Sequence, residues 1–264
     1  CSDRNINANK IIENIIKLQD RRGPDDRGIW QSECKKITLG HNRLSIIDLT
    51  DKARQPLVSK DNNLVITFNG EIYNYKEIKN ELSKNNVLFK SNSDTEVILE
   101  SYKYWGVEFV KKLRGMFAFA IWDNNKKKLL LARDPFGIKP LYYFKKNNIL
   151  FFASQVKSIL SIDNLSFEKS KRSVLDYYLW GNIQEPLTLY KDIYSLERGT
   201  VKIIDGKLNE TTYEYANIKD AILNSKTTNF KNEFELNEKL NYLIKDTVNY
   251  HQVSDVSVTF LLSS

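Results

Sequence analysis

With 264 residues, the chain is long enough for one large domain or two modest ones, each with a core of its own. Hydrophobic residues make up 41%, and no apolar run approaches the roughly 18 residues of a membrane span, so a globular, cytoplasmic protein with no membrane partner is expected. The formal net charge of +7 comes from lysines scattered in short clusters, such as Lys126-Lys127-Lys128, rather than from one basic face, which argues against a nucleic-acid partner.

The apolar spacing of Ile11, Ile12, Ile15 and Ile16 predicts a helix over residues 9–19, stopped by Arg22-Gly23-Pro24-Asp25. Short strands follow at 37–39, 44–49 and 64–68, with Asn69-Gly70-Glu71 reading as a turn. Helices are expected at 75–82 and 94–105, the second opened by Ser93-Asp94, an acidic start that suits the helix dipole. From Phe117 the pattern becomes strand after strand, at 117–122, 128–132, 141–144 and 150–153, with Asn-rich connections. This order predicts an α+β layering of two sheets, not an alternating βαβ fold. A helix over 173–179 and a hairpin strand over 200–204 complete the first unit, assigned to residues 1–208. Residues 209–232 are polar and weakly patterned and read as a linker. An amphipathic helix over 234–248 and a β-branched run at 256–262 then read as the opening of an α/β domain over 233–264.

Two cysteines and two histidines fall in no metal-binding spacing, so no metal site is expected in this chain, and His41 reads as a satisfied polar residue on a strand. Cys1 carries different chemistry. A free α-amine with a pKa near about 7.7–8.0 can accept the proton of its own thiol, giving a nucleophile that requires no histidine. Taken alone, Asn69-Gly70 fits a hairpin turn, Asp94 a helix cap and Arg43 an ion-pair partner.

Six motifs occur in order. They are Arg22-Gly23-Pro24-Asp25, His41-Asn42-Arg43-Leu44-Ser45-Ile46-Ile47-Asp48, Phe68-Asn69-Gly70-Glu71-Ile72-Tyr73-Asn74, Ser93-Asp94-Thr95-Glu96, Arg114-Gly115-Met116-Phe117, and Arg133-Asp134-Pro135-Phe136-Gly137-Ile138-Lys139-Pro140. Together they resemble the class II glutamine amidotransferase domain of the glutamine-hydrolysing asparagine synthetases. The tail from Ser254-Asp255-Val256 to Ser264 resembles the strand leading into that family's ATP loop.

The resemblance implies a four-layer α/β/β/α sandwich of the N-terminal-nucleophile hydrolase type, followed by the first helix and strand of an α/β ATP-pyrophosphatase domain. It implies Cys1 as nucleophile toward glutamine, Asn69 and Gly70 as oxyanion hole, Arg43 for the substrate α-carboxylate, Asp94 with Glu71 for the α-ammonium, and Ile46 lining the pocket. Leu262, Ser263 and Ser264 would meet ATP, used with Mg in the synthetase part, while the glutaminase step takes no cofactor. Aspartate is the expected acceptor of the ammonia; the sequence leaves the oligomeric state open, with a homodimer as one candidate assembly. A sugar acid, a cell-wall or antibiotic carboxylate as acceptor, or a non-catalytic glutamine-binding domain, stand as alternatives. The chain departs from the family where Ser2-Asp3-Arg4-Asn5 follows Cys1 in place of an apolar strand, and where the interval to Arg22 is several residues shorter.

Overall fold

The structure is a computed structural model that describes residues 8–225 and 230–259. In chain order its elements are α1 (Ala8–Leu18), β1 (Asp26–Gln31), β2 (Thr38–Arg43), β3 (Leu57–Val58), β4 (Leu64–Ile72), α2 (Tyr75–Lys84), α3 (Asp94–Trp105), β5 (Gly115–Asp123) and β6 (Lys128–Arg133). There follow β7 (Tyr142–Lys146), β8 (Ile149–Ala153), α4 (Val156–Leu160), α5 (Lys171–Trp180), β9 (Ile193–Ser195), β10 (Thr200–Asp205), β11 (Glu210–Glu214), α6 (Ile218–Leu223) and α7 (Glu233–His251).

An antiparallel six-stranded sheet, ordered β11-β10-β6-β5-β4-β3, forms the centre. One of its two central strands, β5, has no polar alternation because both of its faces are covered. Phe117, Phe119 and Ile121 point to one side, into a core shared with Ile78 and Leu82 of α2 and Val97 and Ile98 of α3. Ala118, Ala120 and Trp122 point to the other, against Leu39 of β2 and Leu150 and Phe152 of β8. The fully buried Phe117 and Phe119 each contribute on the order of 1.5–3 kcal/mol by leaving water.

The second layer of strands is the pair β1-β2 together with the three-stranded sheet β8-β7-β9. Its outer face is covered by α1 and α4, where Ile11 and Ile15 meet Phe144, Ile159 and Ile193. Gly40 lets α1 sit close on β2, since a Cβ there would stand 2.7 Å from Ile12 Cγ2. Three cores between four layers make the expected α/β/β/α sandwich.

Several local expectations change. Residues 44–49 form a loop rather than a strand, because Arg43 and Asp255 take up the carbonyls and the N–H that a neighbouring strand would have used. Asn69-Gly70-Glu71 is no turn; it continues β4 to Ile72, in unbroken register with β5 from Leu64 opposite Asp123 to Ile72 opposite Gly115. Within the stretch read as a linker, residues 210–214 form β11, an edge strand paired with β10. In the run at 256–262, residues 256–259 take no strand conformation and are exposed, for no strand lies beside them among the described residues.

Candidate active site

β4 carries the first part of the site. Gly70 lies opposite Phe117, and a Cβ on it would stand 2.1 Å from the Met116 carbonyl oxygen and 2.7 Å from Phe117 Cα. Only glycine fits, and the strand thereby presses close to β5 where Asn69 and Glu71 flank it. Asn69 lines a cavity of about 240 Å³ together with His41, Asn42, Thr67, Ala118 and Pro140. β2 and β4 meet across this space, with Thr67 Oγ1 donating to the Gly40 carbonyl at 3.3 Å and lying 3.2 Å from His41 Nδ1. Burial, seconded by the Arg43 charge, pushes His41 down to about 4 and keeps its ring neutral, as suits a strand residue rather than a catalytic base.

Arg43 ends β2 and is buried. Its guanidinium donates to the carbonyl oxygens of Asp48 and, at 3.1 Å, of Thr50, so it holds the loop of residues 44–50 from inside. The Arg22-Gly23-Pro24-Asp25 turn borders the same loop: Asp25 N–H donates to the Arg43 carbonyl at 3.0 Å, and the Asp25 carboxylate accepts from Ser45 N–H at 2.7 Å. Ile46 packs its side chain on the helix-side core, while its carbonyl accepts from Asp255 N–H at 2.9 Å.

Asp94 is the first residue of α3. Ser93 caps the helix by accepting from Thr95 N–H at 3.0 Å, and the Glu96 carboxylate reaches back to the N–H groups of Lys90 and Ser91. The helix start favours a negative charge, but the Asp94 carboxyl is buried, and burial wins. Its pKa rises to about 7, first by desolvation and further by the charge of Glu71, against the pull of the Ile72 N–H, which donates to it at 3.1 Å. Burial also raises Glu71, with Lys139 and His251 pulling the other way. The Glu71 charge thus adds to the burial of Asp94, while the Glu71 carboxyl is itself raised by its own burial.

Asp48 joins the two halves. Its carboxylate accepts from Thr50 N–H and Oγ1 and, at 2.8 Å, from Asn92 N–H, two residues before Asp94. Gln55 supports both, accepting from Phe68 N–H at 2.7 Å and donating to Thr95 Oγ1 at 3.4 Å. Neither Asn92 nor Gln55 stood out in the sequence, where an isolated amide in a polar loop carries no signal. The structure thus gathers Asn69, Gly70, Glu71 and Asp94 around the end of β4, and ties Arg43 and Ile46 to them through the 44–50 loop. Cys1, Leu262, Ser263 and Ser264 lie outside the described residues. Among the described residues no group of three or more His, Cys, Asp and Glu could hold a metal ion, and no helix is long and apolar enough to cross a membrane.

A family model described as a glutamine amidotransferase domain matches residues 1–216. The chain belongs to the glutamine amidotransferase domain family. Among curated relatives of this amidotransferase domain, asparagine synthetase [glutamine-hydrolyzing] 1 of Bacillus subtilis is 39% identical over 256 residues, covering 96% of this chain and 39% of that protein. Amidase chry2 of Gibberella zeae is 33% identical, covering 98% of this chain and 38% of that protein. The chain therefore spans about two fifths of the length of these relatives. The solved structure of the glutamine phosphoribosylpyrophosphate amidotransferase of B. subtilis superposes with a TM-score of 0.59 at 20% identity, covering 79% of this chain and 47% of that one. At that identity the likeness shows the fold alone, the four-layer sandwich that the resemblance implies.

Proposed function

We propose that this amidotransferase domain hydrolyses glutamine to glutamate and ammonia, and that the ammonia serves an ATP-dependent ligase forming asparagine from aspartate. The observation that carries the reading is the buried Asp94 with the half-buried Glu71 beside Asn69-Gly70, joined through Asp48 to the loop that Arg43 holds. An amino acid presents both an ammonium and a carboxylate, and the pair and the guanidinium offer the complementary charges at the non-reacting end.

In this reading the Cys1 α-amine takes the thiol proton and the thiolate attacks the side-chain amide carbon of glutamine. The Asn69 amide and the Gly70 N–H donate to the oxyanion that forms, and the protonated amine returns its proton to the leaving ammonia. Water then cleaves the thioester to glutamate, with the same amine as base. ATP and Mg enter only where the acceptor carboxylate is activated, with Leu262, Ser263 and Ser264 as the residues of this chain assigned to the nucleotide; residues 233–264 would open that domain.

A second reading keeps the glutaminase and changes the acceptor to another carboxylate. The match to a relative named an amidase, over as much of the chain as the synthetase match, favours considering it.

The test compares variants on glutamine turnover. Cys1→Ala should abolish glutamine hydrolysis and leave ammonia-dependent synthesis by the full-length enzyme intact. Asn69→Ala should lower kcat by about 10²–10³-fold, the usual effect of removing one oxyanion donor. Normal turnover by Cys1→Ala, or an effect of Asn69→Ala on KM alone, overturns the assignment.

A further inference from the structure

The segment that follows α7 returns to the loop of residues 44–50 and bonds to it twice. Asp255 N–H donates to the Ile46 carbonyl at 2.9 Å, and Asp48 N–H donates to the Asp255 carboxylate at 2.8 Å. Val253 packs on the same core as Ile46. The path to that point is anchored by the last turns of α7. Asp246 pairs with Arg114 at 2.8 Å, the Arg114 guanidinium lies 3.8 Å from the centre of the Tyr250 ring, and Tyr250 Oη donates to Glu77 at 2.7 Å. The His251 ring lies 4.7 Å from that of Tyr73, two residues beyond Glu71.

Asp48 is where these contacts converge. Its N–H goes to Asp255, its carbonyl accepts from Arg43, and its carboxylate accepts from Asn92 N–H just before Asp94. Its backbone is left-handed, with φ of 50°, a conformation a non-glycine residue keeps when its surroundings hold it there. Removing any one of the three partners loosens the peptide to which the Arg43 guanidinium is tied.

We infer that Asp255 is a positioning residue for the glutamine pocket: its carboxylate fixes Asp48, and through Asp48 the placement of Arg43 against the substrate α-carboxylate. The inference deepens the proposed glutamine site and rests on it for the role of Arg43. It also means that the segment beyond α7, outside the family match at 1–216, builds one wall support of the amino-acid subsite.

The experiment uses the full chain with Asp255→Ala, which removes the acceptor, and Asp255→Asn, which keeps an oxygen in its place. Two quantities are read: amide exchange at Asp48 without glutamine, and KM and kcat for glutamine. Asp255→Ala should speed exchange at Asp48 and raise KM by about fivefold each, the worth of one partly exposed hydrogen bond, with kcat within about twofold of wild type. Asp255→Asn should restore both to within about twofold. Wild-type exchange at Asp48 in Asp255→Ala, a fall in kcat at constant KM, or an Asn variant as impaired as the Ala variant would each overturn the inference. Should the unaltered chain fail to bind glutamine, the proposed function falls, and the exchange measurement alone decides whether Asp255 holds Asp48.

Discussion

Asp94 and Asp134 are both buried carboxylates next to the central sheet, and they are treated in opposite ways. Asp134 accepts from four backbone N–H groups, those of Phe117, Phe136, Ile138 and Lys139. The adjacent Arg133 donates to the carbonyls of Gly137, Lys139 and Leu196 and to the side chains of Glu185 and Ser195. Arg133 and Asp134 thus spend their side-chain groups within the protein, so they shape the chain and have little left to offer a ligand. Asp94 has the Ile72 N–H and its own helix start, faces Glu71 instead of a cation, and is pushed to about 7. Satisfied burial suits a structural charge, and the under-compensated burial of Asp94 fits the ligand-binding role proposed for it.

The largest effect should come from breaking the satisfied side. Asp134→Ala orphans four N–H groups, one buried and three part-buried, at up to about 1–3 kcal/mol each, so the variant should lose about 3 kcal/mol or more in urea denaturation. A loss below about 1 kcal/mol would show that the turn is not held this way. Asp94→Asn should do the reverse: the fold survives, because a costly buried charge is removed, while KM for glutamine rises about 10–100-fold with a smaller change in kcat. Unchanged glutamine KM in that variant would remove Asp94 from the ammonium site.

The smallest effect is a pH dependence whose sign follows from the raised pKa. Folded Asp94 titrates near about 7 against 3.8 for the free side chain, so the folded protein binds its proton more tightly than the unfolded chain. Its contribution to stability is full below the unfolded value and is lost as pH rises through the folded one. Urea midpoints of the glutamine-free protein should therefore drift down between about pH 5 and about pH 8, and Asp94→Asn should flatten the drift. Saturating glutamine should also flatten it, since an ammonium beside Asp94 favours the charged form.

The helix over Ala8–Leu18 and the paired runs of β5 and β6 were legible because their patterns are local: isoleucines on one helical face, and apolar strands bounded by Asn and Lys turns. The same holds for the Ser93-Asp94 helix start, whose capping chemistry lies within four residues. Asn69-Gly70-Glu71 misled because its local preference is a turn; nine residues of pairing with β5, and the close approach of Met116 and Phe117, keep it extended. The family motifs named the candidate site residues but not what holds them: Gln55 and Asn92 have no distinctive spacing, and Asp255 reads in sequence as part of the tail strand. The sequence by itself determined the elements whose stabilising contacts lie within a turn or a hairpin, and it nominated the polar groups of the candidate site. Only the tertiary structure decided that residues 44–50 are a loop, that Asp94 is pushed to about 7, and that Asp255 bonds to Asp48 across 207 positions of chain. Burial and hydrogen bonds between distant segments exist only once the layers have closed on one another, and no local pattern carries them.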